Sequence, residues 1–125
     1  MKLKVLVVDD SSLARRTVRL ALEEMGHTVE EATDGSQAIE RYFLERHDLV
    51  FLDMVMTGMY GVDVLIKLRE LNPEVKVIVA TADIQQSTID QVKEAGAVAF
   101  INKPINKQKL AEIVAKVAAG GSTWN

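Results

Sequence analysis

The chain has 125 residues, the usual length of one domain with a hydrophobic core. Its 15 lysines and arginines against 18 aspartates and glutamates give a net charge of −3, so no general attraction to nucleic acid or to an anionic membrane is expected. The absence of cysteine excludes disulfides, zinc–thiolate sites and cysteine nucleophiles. The first residues resemble no signal peptide and no apolar run is long enough to span a membrane, so we expect a cytoplasmic location.

The chain opens with a short buried strand over residues 3–8, followed by the adjacent carboxylates Asp9 and Asp10. Apolar residues then recur at helical spacing as far as Gly26, which predicts a first helix that ends at this glycine. Residues 27–32 alternate polar and apolar side chains, as is typical of a half-exposed edge strand. In the second helix, the residues expected to face inward are Ala38, Ile39, Tyr42 and Phe43.

The next strand, residues 49–52, contains four consecutive apolar side chains and ends at Asp53. Such a run predicts a strand buried on both faces, as in the middle of a parallel sheet. Burying an unpaired carboxylate at its end is unfavourable for stability. In open α/β sheets, however, ligands bind in the crevice beyond the carboxyl ends of the strands. Asp53 is therefore the first candidate functional residue.

The second half of the chain continues the alternation. Residues 54–61 form a loop rich in methionine and glycine, whose methionines are expected to pack around it. Strands are predicted over residues 75–80 and 97–101, the first leading to Thr81 and the second to Lys103. A helix follows each of these segments.

Five β units alternating with five α units predict a doubly wound (βα)5 sandwich around a five-stranded parallel sheet. Residues 1–119 are expected to form one domain, and residues 120–125, which contain glycine and serine, a flexible tail. The sequence leaves open whether the chain stands alone or belongs to a longer protein.

In this fold, the carboxyl ends of the strands lie on one edge, so five polar residues are expected to converge: Asp9, Asp10, Asp53, Thr81 and Lys103. Three carboxylates about 5 Å apart repel by roughly 3 kcal/mol per pair at an effective dielectric near 20, so a cation should neutralise them. Oxygen ligands suit Mg²⁺ or Mn²⁺ and not zinc. The lysine and the threonine would then bind an anion, which gives a site suited to phosphoryl transfer.

Taken singly, each of these five residues also has an ordinary explanation, such as a helix-start acid or a solvated lysine. The functional interpretation depends on their common position at strand ends. His27 and His47 have no partners that suggest a ligand or catalytic role, and both are expected at the surface.

Residues 7–11, 52–56, 80–82 and 100–104 resemble, in this order, the four signatures of the CheY-like receiver domain of two-component response regulators. The resemblance covers essentially the whole chain and implies a flavodoxin-like fold with strand order 2-1-3-4-5. It further implies that Asp53 accepts a phosphoryl group from a sensor histidine kinase or a histidine phosphotransfer protein.

The same resemblance implies a magnesium site. Asp10, Asp53 and the backbone carbonyl of Val55 would hold the ion, and Asp9 would act mainly through water. Mn²⁺ is the alternative ion.

The remaining family roles concern the phosphoryl group and the response to it. Thr81, Ala82 and Lys103 would bind the phosphoryl group, and the Lys103–Pro104 peptide bond would be cis. Thr81 would move toward the phosphoryl oxygen and let Phe100 turn inward, which changes the surface of the fourth helix, fifth strand and fifth helix. An unknown output partner would bind there, and the protein would be a monomer or a phosphorylation-dependent dimer.

Thr57 stands where the family commonly has proline, so a more mobile loop is expected after Asp53. The aliphatic side chain of Val55 cannot position an attacking water, which leaves the lifetime of the phosphoryl group open.

Three other functions compete with this interpretation. A haloacid-dehalogenase-type phosphatase needs a second aspartate where Val55 stands, so the motif is wrong at a catalytic position. A dinucleotide-binding or nucleic-acid-binding module is disfavoured, because no G-x-G-x-x-G follows the first strand and no basic stripe is present. A receiver fold used only for phosphorylation-independent protein contacts is the remaining alternative.

Overall fold

The computed structural model describes residues 2–124 and places them in one α/β unit. We number the strands of the main sheet alone. They are β1 (Lys4–Val8), β2 (Thr28–Ala32), β3 (Leu49–Asp53), β4 (Val77–Thr81) and β5 (Ala99–Asn102). The helices are α1 (Ser12–Glu24), α2 (Gly35–Glu45), α3 (Gly61–Leu71), α4 (Gln86–Glu94) and α5 (Lys107–Ala118).

All neighbouring strands of the sheet pair in parallel, in the order β2-β1-β3-β4-β5. The predicted doubly wound sandwich and its strand order are therefore confirmed. The half-exposed strand β2 lies at one edge and the fully buried strand β3 lies in the centre, as their apolar patterns indicate.

The sheet has a hydrophobic core on each face, because successive side chains of a strand point to opposite sides. In β3, Val50 and Leu52 join the core that also contains residues of α2, α3 and α4. Leu49 and Phe51 join the second core, with residues of α1 and α5. The central strand is thus covered on both faces and buried along its whole length, including Asp53 at its carboxyl end.

Local sequence signals set several helix ends. The side chains of Ser11, Asp34 and Asn106 accept hydrogen bonds from the backbone at the first turns of α1, α2 and α5. After α1, Gly26 adopts a left-handed conformation with φ of 97°, which ends the helix as predicted.

Two side-chain or loop predictions require correction. Residues 54–61 contain a short antiparallel hairpin, Val55–Met56 with Met59–Tyr60, in place of a plain loop. Phe43 is 56% exposed, so its expected inward position is wrong, whereas the neighbouring Tyr42 is buried. Adjacent residues of a helix point about 100° apart, so only one of these two aromatic side chains reaches the core.

The expectation that both histidines lie at the surface is also wrong, because both are buried. His27 accepts a hydrogen bond from the backbone N–H of Leu3 at Nδ1, and burial lowers the pKa of its ring. The Nε2 of His47 lies 2.7 Å from a carboxylate oxygen of Glu30. Neither histidine is near the carboxyl edge of the sheet, since their contacts are with β2 and with the chain entering β1.

The division into a domain over residues 1–119 and a flexible tail over residues 120–125 stays a prediction, and Asn125 lies outside the described residues. In the structure, Thr123 and Trp124 contact residues of β5 and the segment just before it. Among residues 2–124, no helix has both the length and the apolar character needed to cross a membrane.

Candidate metal centre

The acidic residues predicted to converge do so at the carboxyl edge of the sheet. One carboxylate oxygen from each of Asp9, Asp10 and Asp53 lies within 4.8 Å of the others. Asp9 and Asp53 are buried, whereas Asp10 is exposed. At this separation each pair of charges repels by about 3 kcal/mol at an effective dielectric near 20. Such a set of oxygen donors, open to solvent on one side, fits a hard divalent cation such as Mg²⁺.

Lys103 offsets part of this repulsion. Its Nζ lies 2.9 Å from Oδ1 of Asp53 and 3.4 Å from Oδ2 of Asp9. Burial alone would lower the pKa of Lys103, but its hydrogen bonds and charge interactions with the two aspartates raise it overall. The ammonium group therefore stays charged at neutral pH and occupies the space between the two buried carboxylates.

The carboxyl group of Asp53 is in an unfavourable environment for its charge. Burial raises its pKa, against the lowering effect of the hydrogen bond from Lys103, and the charge of Asp9 adds to the rise. The nearby backbone N–H of Val55 acts in the opposite direction and lowers the pKa of Asp53. The surroundings of Asp53 thus disfavour its charged form, and perturbed carboxyl groups of this kind are common at functional sites.

Asp10 is held by the loop that follows Asp53. The backbone N–H and the hydroxyl of Thr57 both donate to Oδ2 of Asp10, over 2.8 and 2.9 Å. These hydrogen bonds lower the pKa of Asp10. A proline at this position would offer neither donor. The sequence marked Thr57 as unusual but gave no sign that it contacts Asp10, since the two residues are 47 positions apart.

Backbone geometry places the nucleophile candidate. The N–H of Gly61 donates to the carbonyl of Met54 over 2.8 Å, which folds the hairpin back against the end of β3. A Cβ atom at Gly61 would lie 2.6 Å from the carbonyl oxygen of Asp53. Only glycine allows this approach without a shift of the backbone, so Gly61 supports the position of Asp53.

Thr81 ends β4 next to β3 and is buried, but its hydroxyl is engaged elsewhere. It accepts a hydrogen bond from the N–H of Asp83 over 3.0 Å and lies 3.3 Å from the carbonyl of the same residue. Ala82, the next residue, is exposed. The carboxylate of Asp83 accepts hydrogen bonds from Gln85 N–H and from the Thr88 hydroxyl, so this loop is tied to the start of α4.

The other predicted residues lie around the acidic cluster or beyond it. Val55 is 68% exposed in the hairpin next to Asp53. The Lys103–Pro104 peptide bond is cis. Phe100 is half-buried on β5 and stacks on Trp124, away from the carboxylates. The structure thus brings three aspartates and Lys103 into one cluster and leaves Phe100 outside it.

The architecture agrees with that of known proteins. Residues 5–115 match the family model described as "Response regulator receiver domain". The chain is 34% identical to the chemotaxis protein CheY of Thermotoga maritima over 116 residues, which cover 92% of this chain and 97% of that protein. It superposes on the chemotaxis protein CheY4 of Vibrio cholerae with a TM-score of 0.89 and 28% identity, over 94% of this chain and 99% of the other. A chain of the CheX-CheY-BeF3-Mg complex from Borrelia burgdorferi superposes with a TM-score of 0.88 and 28% identity, over 92% and 88% of the two chains.

The region matched by the family model contains the whole acidic cluster and Lys103. The similarity to CheY of Thermotoga maritima extends over nearly the full length of both chains. This chain therefore belongs to the family of response regulator receiver domains, the signalling domains of two-component systems.

Proposed function

We propose that the protein is a phosphorylation-activated switch in which Asp53 accepts a phosphoryl group from a phosphohistidine of a sensor histidine kinase or a histidine phosphotransfer protein. One observation carries this proposal: the carboxylate of Asp53 ends the central strand, 2.9 Å from the ammonium of Lys103 and within 4.8 Å of two further carboxylates. A nucleophile, an ammonium group and metal ligands in one place are what phosphoryl transfer needs, since it depends on positioning and charge neutralisation.

In the proposed step, a carboxylate oxygen of Asp53 forms a bond to phosphorus while the phosphorus–nitrogen bond of the phosphohistidine breaks. The electron pair of that bond stays on the imidazole nitrogen. The product on this chain is an acyl phosphate. Lys103, which now contacts Asp53 and Asp9, is close enough to donate to an oxygen of the incoming group.

The reaction is proposed to depend on Mg²⁺, with Mn²⁺ as a substitute. Asp10, Asp53 and the backbone carbonyl of Val55 would hold the ion, with Asp9 acting mainly through water. When bound, the ion would neutralise charge on the phosphoryl oxygens. The donor set supports this assignment, because carboxylate oxygens are the ligands that Mg²⁺ prefers.

A protein is the proposed donor because the site borders an exposed apolar surface. A depression of about 280 Å³ beside the cluster is lined by Asp9, Leu13, Lys103 and Pro104, among others. Leu13 is 75% exposed at the start of α1. Together with Val18, Pro104 and Ile105, which line the same depression, Leu13 offers an apolar contact surface for a protein donor.

The response to phosphorylation is proposed to pass through Thr81, Ala82 and Phe100. The phosphoryl group would compete with Asp83 for the Thr81 hydroxyl, and Phe100 would then turn inward. The surface formed by α4, β5 and α5 would change and present a different face to an output partner. Three properties stay predictions: the binding of an output partner at this surface, a monomeric or phosphorylation-dependent dimeric state, and a cytoplasmic location.

Incubation with acetyl phosphate and Mg²⁺, followed by intact mass spectrometry, tests the proposal. The wild-type chain should gain the mass of one phosphoryl group, and the gain should disappear with EDTA and in Asp53→Ala. Asp90→Ala, which removes an exposed carboxylate on α4, is the matched control and should still be modified. A wild-type chain that is never modified by any donor would refute the proposal, as would modification that persists in Asp53→Ala.

A further inference from the structure

The outer edge of β5 is covered by the chain's own C-terminal segment. The N–H of Thr123 donates to the carbonyl of Val98 over 3.3 Å, and the N–H of Phe100 donates to the hydroxyl of Thr123 over 3.2 Å. β5 is the last strand of the sheet, so these two backbone groups have no neighbouring strand to pair with. The segment therefore takes the place of an additional strand over this short stretch.

Trp124 fixes the segment on Phe100. The two rings stack with centroids 5.8 Å apart and planes inclined by 22°. The indole Nε1 donates to the carbonyl of Ala97 over 2.8 Å, and the Nζ of Lys93 lies 5.9 Å from the ring centroid. An aromatic pair, a hydrogen bond and a cation–π contact together define a specific position for an aromatic side chain. We call this position, formed by Phe100, Ala97 and Lys93, the seat of Trp124.

A turn at the end of α5 directs the chain toward this seat. The N–H of Gly121 donates to the carbonyl of Lys116 over 2.8 Å, and that of Gly120 to Val117 over 3.0 Å. Gly120 has a φ of 90°, a left-handed backbone conformation that residues other than glycine rarely adopt. The direction of the last residues therefore follows from the helix end as well as from Trp124.

We propose that the edge of β5 is a binding site for an extended segment with an aromatic side chain, and that residues 122–124 fill it within the same chain. An output partner would enter by strand addition, placing its own backbone along β5 and its own aromatic ring where the indole of Trp124 now lies, against the Ala97 carbonyl and the Lys93 ammonium. It would have to displace Trp124 first. The C-terminal segment thus competes with the partner for the surface formed by α4, β5 and α5.

The site is coupled to Asp53 through Phe100, a step that rests on the proposed function. Phe100 supplies both the ring under Trp124 and the N–H bonded to Thr123. If phosphorylation turns its ring inward, the stacking is lost and the segment is released. Aromatic pairs of this kind are worth roughly 2- to 13-fold in an equilibrium, so release should shift by about that factor. Because coupling is reciprocal, Trp124→Ala should strengthen binding of a phosphoryl analogue by a similar factor.

Trp124 is the one tryptophan of the sequence, so intrinsic fluorescence reports on this seat directly. In the metal-free wild type, we expect a blue-shifted emission and weak quenching by acrylamide, compared with the urea-unfolded chain. Phe100→Ala should shift the emission to the red. Thr123→Val keeps the shape of the side chain but removes the acceptor of the Phe100 N–H, and should give a smaller shift in the same direction. A metal-free wild type with the emission of the unfolded chain would overturn the proposal.

The coupling is tested by adding beryllium fluoride with Mg²⁺, an analogue of the phosphorylated state. Emission of the wild type should move to the red and quenching should rise, with no change in Asp53→Ala. If mass spectrometry finds Asp53 phosphorylated while Trp124 emission stays unchanged, the coupling is refuted and the proposed function stands. If Asp53 is never phosphorylated, the proposed function fails, and the comparison of metal-free variants still decides whether Trp124 occupies the seat.

Discussion

Replacing Asp53 by asparagine should make the metal-free protein more stable. The substitution removes a repulsion from Asp9 of about 3 kcal/mol, taking the 4.8 Å limit of the cluster and an effective dielectric near 20. It also removes an attraction to Lys103 of about 6 kcal/mol at 2.9 Å and the same dielectric, although an amide oxygen can still accept that hydrogen bond. Burial of the charge decides which effect is larger. Taken together, the surroundings of Asp53 raise its pKa and so disfavour the ionised form, which asparagine removes.

We therefore expect a gain in stability, seen as a higher Tm; each 1 kcal/mol of gain would correspond to roughly 3 to 6 °C for a chain of this length. The sign depends on pH in a defined way. A carboxyl whose pKa is raised on folding costs stability once it ionises, so the penalty grows as pH rises from the unfolded value of 3.8 through the folded value. The gain in Asp53→Asn should be full at pH 8 and vanish below about pH 4.

Thermal melts in EDTA at pH 8 measure this gain, with Glu94→Gln as the control because it removes one exposed carboxylate of the same charge. Mg²⁺ should reverse the order of stability: the wild type gains about 1.4 kcal/mol at ten times its dissociation constant, and Asp53→Asn gains less. A lower Tm for Asp53→Asn than for the wild type in EDTA would mean that the ion pair with Lys103 outweighs burial, and the reasoning would be refuted.

Three further predictions concern neighbouring residues. Lys103→Met should lower the free energy of unfolding in EDTA by about 2 kcal/mol, since two carboxylates lose their counter-charge. Mg²⁺ should restore more stability to this variant than it adds to the wild type. An unchanged midpoint of urea unfolding would contradict this prediction. Thr57→Ala should tighten Mg²⁺ binding several-fold in calorimetry, because two hydrogen bonds no longer hold Asp10, whereas weaker binding would mean that Thr57 orients this ligand. Gly61→Ala should destabilise the fold by about 2 kcal/mol, because the added Cβ would clash with the carbonyl oxygen of Asp53. It should also slow the phosphorylation of Asp53 by acetyl phosphate. A rate equal to that of the wild type would show that the hairpin can shift to make room.

The sheet and the acidic cluster could be predicted because local patterns determine them. The buried run of β3 and the alternating pattern of β2 place one strand at the centre and one at the edge. Once the strands are parallel, topology alone collects Asp9, Asp53 and Lys103 at one edge. No knowledge of side-chain conformations is needed for this inference.

Side-chain partners were less predictable, because they depend on contacts distant in sequence. Periodicity predicts both Tyr42 and Phe43 inward, yet only Tyr42 fills the core, where its hydroxyl accepts a hydrogen bond from Asn72. His47 carries no local signal of burial, and its partner Glu30 is 17 positions away. The pair of hydrogen bonds from Thr57 likewise exists only after the hairpin closes over the acidic cluster.

The covered edge of β5 has a consequence for solubility. At the opposite edge, β2 carries Glu30 and Glu31, and charged side chains discourage strand-to-strand association between molecules. The β5 edge instead has Phe100 in its centre and relies on Thr123 and Trp124 to occupy its backbone groups. A chain shortened before these residues would leave that edge open to pairing with other copies, and aggregation would become the main hazard of handling it.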